Sequence, residues 1–297
     1  MQRKDLRRLL DQRRQLVAIG AHDGLSGRLG EQAGFDVLWA SGFEISASHG
    51  LPDANILDMS VQLAASCQIH EATSIPVIAD CDNGYGNAVN AAFTARKFFR
   101  AGIAGLCIED NIFPKRCSFY DGARRELVSA EEHALKVRAC KDSTDGELFV
   151  IARTEALIAG YSMEDALERG EAYADAGADA VLIHSKEKTP DQIIEFAHRW
   201  TRPTPLVAVP TTYDTITTAE LGELGFRIVI FANHGLRASI RAMQEAYARL
   251  LPAGRASVLR DRIVSLQTVF ELVGVKDLEA SELKYLPAPE GTAGVPN

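Results

Sequence analysis

The chain has 297 residues, of which 46% are hydrophobic, and it carries a formal net charge of -8 at pH 7 with a pI near 5.5. These values allow one large α/β barrel or two ordinary domains, each with a sizeable core. The acidic balance argues against nucleic acid or an anionic membrane surface as a partner, because both bind clustered positive charge. No stretch resembles a signal peptide or a membrane span, and five scattered cysteines are typical of a reduced, cytoplasmic protein.

The first predicted element is an amphipathic helix over residues 3–15, which has Leu6, Leu9 and Leu10 on one side. We expect this helix to cap one end of the fold. Short apolar runs follow, and their near-continuous Val, Ile, Leu and Ala content is typical of parallel strands buried on both faces. The eight strand candidates are Leu16–Gly20, Asp36–Ala40, Ile75–Ala79, Gly105–Ile108, Leu148–Ala152, Ala180–Ile183, Pro205–Val209 and Arg227–Phe231.

Segments of helical periodicity lie between these runs, and Gly102, Gly177 and Gly225 stand where helices should end. The predicted helices are Ala91–Arg100, Ala130–Ala139, Met163–Ala176, Pro190–Arg199 and Ala238–Leu251. Repeated strand-then-helix units predict a (β/α)8 TIM barrel.

We expect the barrel domain to cover residues 1–251, including the N-terminal helix. Residues 252–286 should form a C-terminal helical extension, with helical pieces at Ala256–Gln267 and Thr268–Val273. Residues 287–297 are rich in Pro, Gly and Ala and are predicted to be a loose tail.

Polar residues follow every predicted strand, at the barrel end where catalytic groups lie in this fold. They are His22-Asp23, Ser41-Gly42-Phe43, Asp80 with Asp82, Glu109-Asp110, Arg153 with Glu155, His184-Ser185-Lys186, Pro210–Thr212 and Asn233-His234. Asp80, Asp82 and Glu109 form an all-oxygen set, which favours Mg²⁺ over zinc. The alternative is that one or two of these carboxylates are hydrogen-bond acceptors at strand ends.

Arg153 and His184 are placed to face the carboxylates across the barrel mouth, and they suit an anionic substrate with a carboxylate or phosphoryl group. A different interpretation pairs Arg153 with Glu155 or Glu109 and gives His184 a structural role. Ser41-Gly42 either offers a hydroxyl and backbone N–H groups to a carboxylate or forms a tight turn. The residues alone do not decide between the alternatives, either for Arg153 and His184 or for Ser41-Gly42.

The long segment from Ile112 to Val128, between the fourth strand and its helix, is predicted to be a functional lid. Within it, Lys115 and Arg116 would add positive charge on closure, and Cys117 beside them would have a lowered pKa. A solvated basic loop is the alternative. The charges from Glu126 to Lys141 look like an ordinary exposed helix face, and Cys81 should point into the core.

Ordered motifs along nearly the whole chain resemble the phosphoenolpyruvate mutase and isocitrate lyase superfamily. They are Trp39-Ala40-Ser41-Gly42-Phe43, Asp80-Cys81-Asp82-Asn83-Gly84-Tyr85-Gly86-Asn87, Glu109-Asp110, Phe113-Pro114-Lys115, Ile151–Ala156, His184-Ser185-Lys186, Val209-Pro210-Thr211 and Ala232–Ala238. Within the superfamily, the later segments are most similar to the branch of phosphoenolpyruvate mutase and phosphonopyruvate hydrolase.

The resemblance implies a Mg²⁺-dependent barrel, a homodimer or homotetramer in which a C-terminal helix is exchanged between subunits, and a small anionic substrate. It also implies site residues. Asp80, Asp82 and Glu109 would hold the metal; Trp39, Ser41, Gly42, Phe43, Arg153 and His184 would bind substrate; and Asp53, Lys115, Cys117, Ser118, Arg153 and His184 would act in catalysis.

The lid departs from the mutase pattern, in which Glu-Asp-Lys is followed after five residues by Asn-Ser. Here Glu109-Asp110-Asn111 is followed by Cys117-Ser118, and Lys115-Arg116-Cys117 is similar to the catalytic loop of the lyases. The favoured hypothesis is mutase chemistry on the C–P bond of phosphonopyruvate. The alternatives are its hydrolysis, a C–C lyase of a 2-hydroxy or 2-oxo di- or tricarboxylate with Cys117 as acid, and a catalytically silent scaffold.

Overall fold

The computed structural model of the chain describes residues 6–117 and 126–287. Eight parallel strands pair in chain order, and the eighth pairs with the first to close a barrel. The strands are β1 (Leu16–Ala21), β2 (Val37–Ala40), β3 (Val77–Asp80), β4 (Gly105–Glu109), β5 (Phe149–Thr154), β6 (Ala180–Ile183), β7 (Leu206–Ala208) and β8 (Phe226–Phe231). All eight predicted strands are present within one or two residues, so the predicted (β/α)8 barrel is confirmed.

Thirteen α-helices accompany the strands in the described residues. They are α1 (Leu6–Gln12), α2 (Gly24–Gln32), α3 (Gly42–Ser48), α4 (Met59–Ala72), α5 (Ala88–Arg100), α6 (Ala130–Asp142), α7 (Ala156–Ala159), α8 (Met163–Asp175), α9 (Asp191–Arg199), α10 (Thr218–Glu223), α11 (His234–Ala253), α12 (Leu266–Val273) and α13 (Val275–Tyr285). None of the helices in this part of the chain combines the length and the apolar content that crossing a bilayer requires.

Several helices that hydrophobic periodicity did not reveal begin at side-chain caps. Helices α2, α3, α4 and α10 follow Asp23, Ser41, Asp58 and Thr217, and each of these side chains accepts a backbone N–H from the first turn. Such caps satisfy donors that have no partner inside the helix. At the other helix ends, Gly102, Gly177 and Gly225 have φ angles of 87°, 96° and 94°, as the sequence predicted.

The interior of the barrel is filled by strand side chains, and α1 covers its N-terminal end. Leu6 and Leu10 are 2% and 7% exposed and pack in the same cluster as Ile78, Phe149 and Ile228. The predicted capping helix is therefore present. Two further apolar clusters lie between the strands and the surrounding helices, and Cys81 is buried in one of them as expected.

The chain divides into two compact units, residues 1–239 and 240–297. In the second unit, the predicted helix over Ala256–Gln267 is wrong. Only Ala256–Leu259 is helical, as a short 3-10 turn, and α12 begins at Leu266 because the Ser265 hydroxyl accepts the backbone N–H of Thr268. Helix exchange between subunits stays a prediction.

Candidate active site

A cavity of about 50 Å³ lies at the C-terminal ends of the barrel strands. It is lined by Trp39, Ser41, Phe43, Asp53, Asp80, Lys115, Cys117, Arg153, His184, Val209, Thr211, Ala232 and Asn233. Nine of these were predicted as site residues. The predicted residues Gly42, Asp82 and Glu109 contact lining residues, and Ser118 lies outside the described part of the chain.

The turn after β2 passes close to the carboxylates of Asp80 and Asp82. Ser41 caps α3, and its hydroxyl oxygen accepts the backbone N–H of Glu44 at 3.3 Å. A Cβ atom on Gly42 would lie 3.2 Å from Asp82 Oδ1 and 3.5 Å from Asp80 Oδ2. A side chain here would crowd these carboxylates, and glycine leaves the space open, so the tight turn and a ligand-binding surface are compatible roles for the same residues.

Asp80 is the last residue of β3, and Asp82 follows in a turn with a φ angle of 51°. The backbone N–H of Asp82 donates to Asp80 Oδ1 at 3.3 Å. Asn55, which the sequence reasoning missed, donates from Nδ2 to Asp82 Oδ2 at 2.7 Å, and its Oδ1 accepts the backbone N–H of Lys115 at 2.6 Å. Asn55 therefore joins the carboxylate turn to the segment after β4.

The side chain of Lys115 reaches into the carboxylates. Its Nζ contacts Asp82 Oδ1 and lies 3.0 Å from Asp53 Oδ1 and 3.9 Å from Glu109 Oε1. Burial by itself would lower the pKa of Lys115, but the surrounding carboxylates outweigh burial and raise this pKa well above its usual value. Lys115 and Cys117 are 4% and 5% exposed, whereas Arg116 is exposed, so this segment is not a uniformly solvated basic loop.

Glu109 ends β4 and is held from two sides. Its Oε1 accepts from Asn111 Nδ2 at 2.8 Å, and its Oε2 lies 3.2 Å from Arg153 Nη1. Burial raises the pKa of Glu109 to about 7, against the opposing effects of Arg153 and Lys115. Asn111 therefore contacts the candidate metal ligand from the position where the mutase pattern has lysine.

Arg153, Glu155 and His184 form a buried polar group on the other side of the cavity. Arg153 Nε donates to Glu155 Oε1 at 2.6 Å, and His184 Nδ1 lies 2.9 Å from the same oxygen and 2.8 Å from Arg153 Nη2. Because Arg153 only donates, an unprotonated Nδ1 accepts from Arg153 and a protonated one donates to Glu155. Arg153 thus pairs with both glutamates while it lines the cavity.

The donor chemistry of the site fits a hard divalent cation. Five carboxylates, from Asp53, Asp80, Asp82, Glu109 and Glu155, face two permanent cations, Lys115 and Arg153. Burial raises the pKa of Asp82 well above its usual value; Lys115 opposes this effect, and the neighbouring carboxylates add to it. Carboxylates thus outnumber cations in the site, which suits a divalent ion.

Lys115 is the cation that contacts Asp82 in this conformation. Within residues 6–117 and 126–287, no group of three or more His, Cys, Asp or Glu side chains has the geometry of a metal site. A cation held by Asp82 would share or replace its contact with Lys115.

Asp110, beside Glu109, points away from the cavity and ties β4 to its neighbours. Its Oδ1 accepts the backbone N–H of Glu155 at 2.8 Å, and its Oδ2 accepts from Thr154, Arg169 and Tyr173 at 2.7–3.1 Å. Burial raises the pKa of Asp110 in spite of these hydrogen bonds. Asp110 therefore fixes the end of β5, from which Arg153 projects.

The ends of the segment between β4 and α6 are paired through their backbones. Asn111 and Leu127 form an antiparallel bridge, and the N–H of Val128 donates to the Asp110 carbonyl at 2.9 Å. The segment is thus anchored at both ends beside the cavity.

Four cavity residues, Val209, Thr211, Ala232 and Asn233, were not predicted as site residues. Thr211 and Asn233 were noticed as polar strand ends, but a polar residue after a strand does not reveal whether its side chain faces a cavity. Val209 and Ala232 belong to motifs that carry the family resemblance, but apolar residues at strand ends are also ordinary core residues, so neither was predicted to line the cavity.

Residues 6–251 match the family model of phosphoenolpyruvate phosphomutase. Over 283 residues the chain is 44% identical to phosphonopyruvate hydrolase from Variovorax sp. (strain Pal2), an alignment that covers 95% of this chain and 98% of the relative.

Two solved structures share the fold closely. The phosphoenolpyruvate phosphomutase of Streptomyces platensis subsp. rosaceus superposes with a TM-score of 0.93 at 48% identity, over 95% of this chain and 98% of that one. A phosphonopyruvate hydrolase in complex with oxalate and Mg²⁺ gives a TM-score of 0.90 at 43% identity, with the same coverage. With a fold and a sequence that agree along most of its length, the chain belongs to the phosphoenolpyruvate phosphomutase family, within the phosphoenolpyruvate mutase and isocitrate lyase superfamily.

Proposed function

We propose that the protein is a Mg²⁺-dependent phosphonomutase that interconverts phosphonopyruvate and phosphoenolpyruvate. The observation that supports this proposal most directly is the division of one small cavity into two halves. Arg153 and His184 supply donors to one half, and Asp80, backed by Asp82 and Glu109, supplies carboxylates to the other. The two halves meet at the ion pair of Arg153 with Glu109. A substrate with a phosphonate at one end and a 2-oxo acid at the other matches both halves.

The carboxylate half would hold the metal and the pyruvyl unit. Asp80, Asp82 and Glu109 would bind Mg²⁺, which when bound stabilises negative charge on the carbonyl oxygen of the substrate. Ser41, Gly42 and Phe43 would anchor the substrate carboxylate through a hydroxyl and backbone N–H groups, with Trp39 as part of the cavity wall.

The cationic half would hold the phosphonate oxygens. Arg153 and His184 donate to these oxygens while the C–P bond breaks and its electron pair stays on carbon, giving the enolate of pyruvate. The departing phosphoryl group, of metaphosphate character, then forms a bond to the enolate oxygen, so phosphoenolpyruvate results without gain or loss of atoms. Ser118 would add a hydroxyl to this half.

Water must be kept out for this transfer to succeed, because water competes for the phosphoryl group. Lys115 and Cys117 line the cavity and are almost fully buried. Asp53 holds Lys115 there through an ion pair. This arrangement supports a mutase, in which the enolate oxygen is the acceptor.

Phosphonopyruvate hydrolase is the second candidate, and the observation that favours it is Cys117 in the cavity wall. A thiol is a weaker hydrogen-bond donor than the asparagine of the mutase pattern and restrains the phosphoryl group less. In hydrolysis, a water oxygen bonds to phosphorus and a proton reaches the enolate carbon, which gives phosphate and pyruvate. The relative from Variovorax is named for this reaction.

A C–C lyase of a 2-hydroxy or 2-oxo di- or tricarboxylate is the third candidate, and it rests on the same thiol in the cavity wall. In such a lyase, Cys117 would protonate the enolate product.

The deciding experiment is to incubate the full chain with Mg²⁺ and phosphonopyruvate and to follow phosphorus NMR. We expect the phosphoenolpyruvate signal to grow, with Asp80→Asn as the inactive control. Inorganic phosphate in its place would identify the hydrolase. An unchanged spectrum would overturn C–P chemistry, and if Mg²⁺ also failed to bind, a silent scaffold would be the better description.

A further inference from the structure

Helix α6 buries two basic side chains that take no part in the proposed chemistry. The sequence of residues 126–141 looks like an exposed charged face, and for Glu132 and Arg138 this holds. His133 and Lys136, however, are 0% and 1% exposed, so the prediction is wrong at these two positions. Removing a lysine from water is unfavourable, and such a residue is kept where its charge or its hydrogen bonds serve a purpose.

Lys136 reaches the turn that carries Asp82. Its Nζ donates to the backbone carbonyl of Asn83 at 3.3 Å. No ion pair to Lys136 is present among the described residues, so the cost of burial is not offset by a salt bridge. The buried ammonium group of Lys136 instead donates its hydrogen bond to the Asn83 carbonyl in the turn.

The turn itself is conformationally unusual. Asp82 and Tyr85 have φ angles of 51° and 59°, and Gly84 and Gly86 have 80° and 144°. Residues other than glycine seldom adopt positive φ, and they keep it only where surrounding contacts hold the backbone. The direction of the Asp82 carboxylate therefore depends on those contacts.

Other contacts hold the turn from the cavity side. Asn55 donates to Asp82 Oδ2 at 2.7 Å, Asn83 Nδ2 donates to the Ile112 carbonyl at 3.0 Å, and Asn83 Oδ1 accepts the N–H of Tyr85 at 3.2 Å. Lys136 approaches from α6 instead. Without its ammonium group, the buried Asn83 carbonyl would lose this donor, which is costly in a dry environment.

The charge environment of Lys136 agrees with a role in holding this carbonyl. Burial lowers the pKa of Lys136 below its usual value, and Glu132 and Asp110 oppose this effect. The neighbouring His133 is neutral near pH 7, since burial, Lys136 and Arg169 lower its pKa to about 3. His133 therefore brings no second positive charge to the buried lysine.

We propose that Lys136 is a positioning residue for the metal ligand Asp82, acting through its hydrogen bond to the Asn83 carbonyl. The inference rests on the proposed function, since it takes Asp82 as a ligand of the divalent ion. Lys136 does not touch the substrate or the ion. It fixes the backbone from which the ligand projects, as groups outside a metal's own ligands commonly do.

The test uses Mn²⁺ as the probe for the site, titrated into the metal-free full chain and followed by electron paramagnetic resonance. Lys136→Met keeps the length and the apolar stem and removes the donor. We expect the Kd for Mn²⁺ to rise about tenfold, in the range found when such supporting groups are removed. Lys136→Arg keeps a cationic donor and should restore most of the affinity.

Cys140→Ala is the matched control, because Cys140 is buried on the same helix and its thiol contacts the Ala91 carbonyl instead of the turn. It should leave the Kd for Mn²⁺ unchanged. An equal loss of affinity in Cys140→Ala and Lys136→Met would mean general loosening of α6 and would overturn the proposal. Should Lys136→Met fail to give a cooperative melt, Lys136→Leu, which also removes the donor and keeps an apolar side chain, carries the same comparison.

The outcomes separate this inference from the proposed function. If the unaltered chain binds Mn²⁺ and Lys136→Met binds it equally well, the role of Lys136 is wrong while the metal site stands. If the unaltered chain does not bind Mn²⁺, both the proposed metal site and the proposed role of Lys136 are wrong.

Discussion

The ammonium nitrogen of Lys115 lies 3.0 Å from Asp53 Oδ1, and both side chains are almost fully buried. This ion pair joins two loops that are distant in sequence, one after α3 and one after β4. Because a buried charge is unfavourable without a partner, the pair helps to hold Lys115 beside the carboxylates.

Lys115→Met should therefore lower kcat for phosphonopyruvate by roughly 10²-fold, because it removes a positive charge that is placed against developing negative charge. The measurement is the initial rate by phosphorus NMR. Arg116→Met is the matched control, since it removes the same charge from an exposed neighbour, and it should keep near-normal rates. Equal rates in both variants would contradict the assigned role of Lys115.

Cys117→Ser distinguishes the candidate reactions. In C–P chemistry the thiol only lines the cavity, and a serine hydroxyl is an adequate donor, so substantial turnover should survive. In a C–C lyase the thiol is the acid, and turnover should fall by about 10²-fold or more. The measurement is the rate of each variant with phosphonopyruvate and, in parallel, with 2-hydroxy and 2-oxo dicarboxylates.

Removal of divalent ions should abolish turnover and lower the melting temperature. An ion at 100 times its Kd stabilises the native state by about 2.7 kcal/mol. Dialysis against EDTA should therefore remove a stabilisation of this order, which added Mg²⁺ restores. Asp80→Asn should show little response to Mg²⁺ in the same melting assay. Full activity in EDTA would contradict the metal requirement.

His133 should make the protein less stable in acid. Its pKa is about 3 in the folded chain, mainly because of burial, and near 6.5 when unfolded. The unfolded state therefore binds a proton as the pH falls below about 6.5, and the folded state does not, so this contribution to stability is lost towards low pH.

The loss between pH 7 and pH 5 should be about 2 kcal/mol. The ring centroids of His133 and Tyr173 are 4.6 Å apart, and His133→Phe keeps an aromatic ring in this contact. The variant should not show the loss of stability that comes from His133. Urea unfolding of both proteins at the two pH values gives the comparison. An identical pH dependence would mean that His133 can take up a proton while folded.

The second compact unit, residues 240–297, carries many exposed apolar side chains. Leu251, Leu266 and Leu283 are 88%, 73% and 89% exposed, which is unfavourable in water unless another surface covers them. We expect a homodimer or homotetramer by light scattering. Leu283→Asp should shift the mass towards the monomer, whereas Glu279→Lys, a change of charge on the same helix, should not.

The barrel was predictable because it is encoded by local patterns. Buried parallel strands read as continuous apolar runs, and each run from Leu16 to Phe231 marked a strand within two residues. The candidate carboxylates and Arg153 were then predicted from their positions at the ends of these strands. Helices such as α4 were missed because their apolar pattern is weak, although Asp58 marks the start.

The environment of each site residue was not predictable, because it depends on contacts between distant segments. Nothing in the spacing of Asn55 and Asp82 indicates that they share a hydrogen bond, and nothing around Lys136 distinguishes it from an exposed helix lysine. The sequence also left open how Lys115 meets the carboxylates. Such contacts follow from tertiary packing, and the residue pattern of a single helix or strand does not predict them.

The backbone pairing of Asn111 with Leu127 has a consequence for how this enzyme family can diversify. Closing a loop costs entropy that grows only slowly with its length, by about 0.6 kcal/mol for each doubling. Since the pairing fixes where the loop leaves and rejoins the barrel, insertions and deletions between these residues need not disturb the strand ends. A change of reaction can therefore arise by exchanging one loop, with the carboxylates and Arg153 left in place.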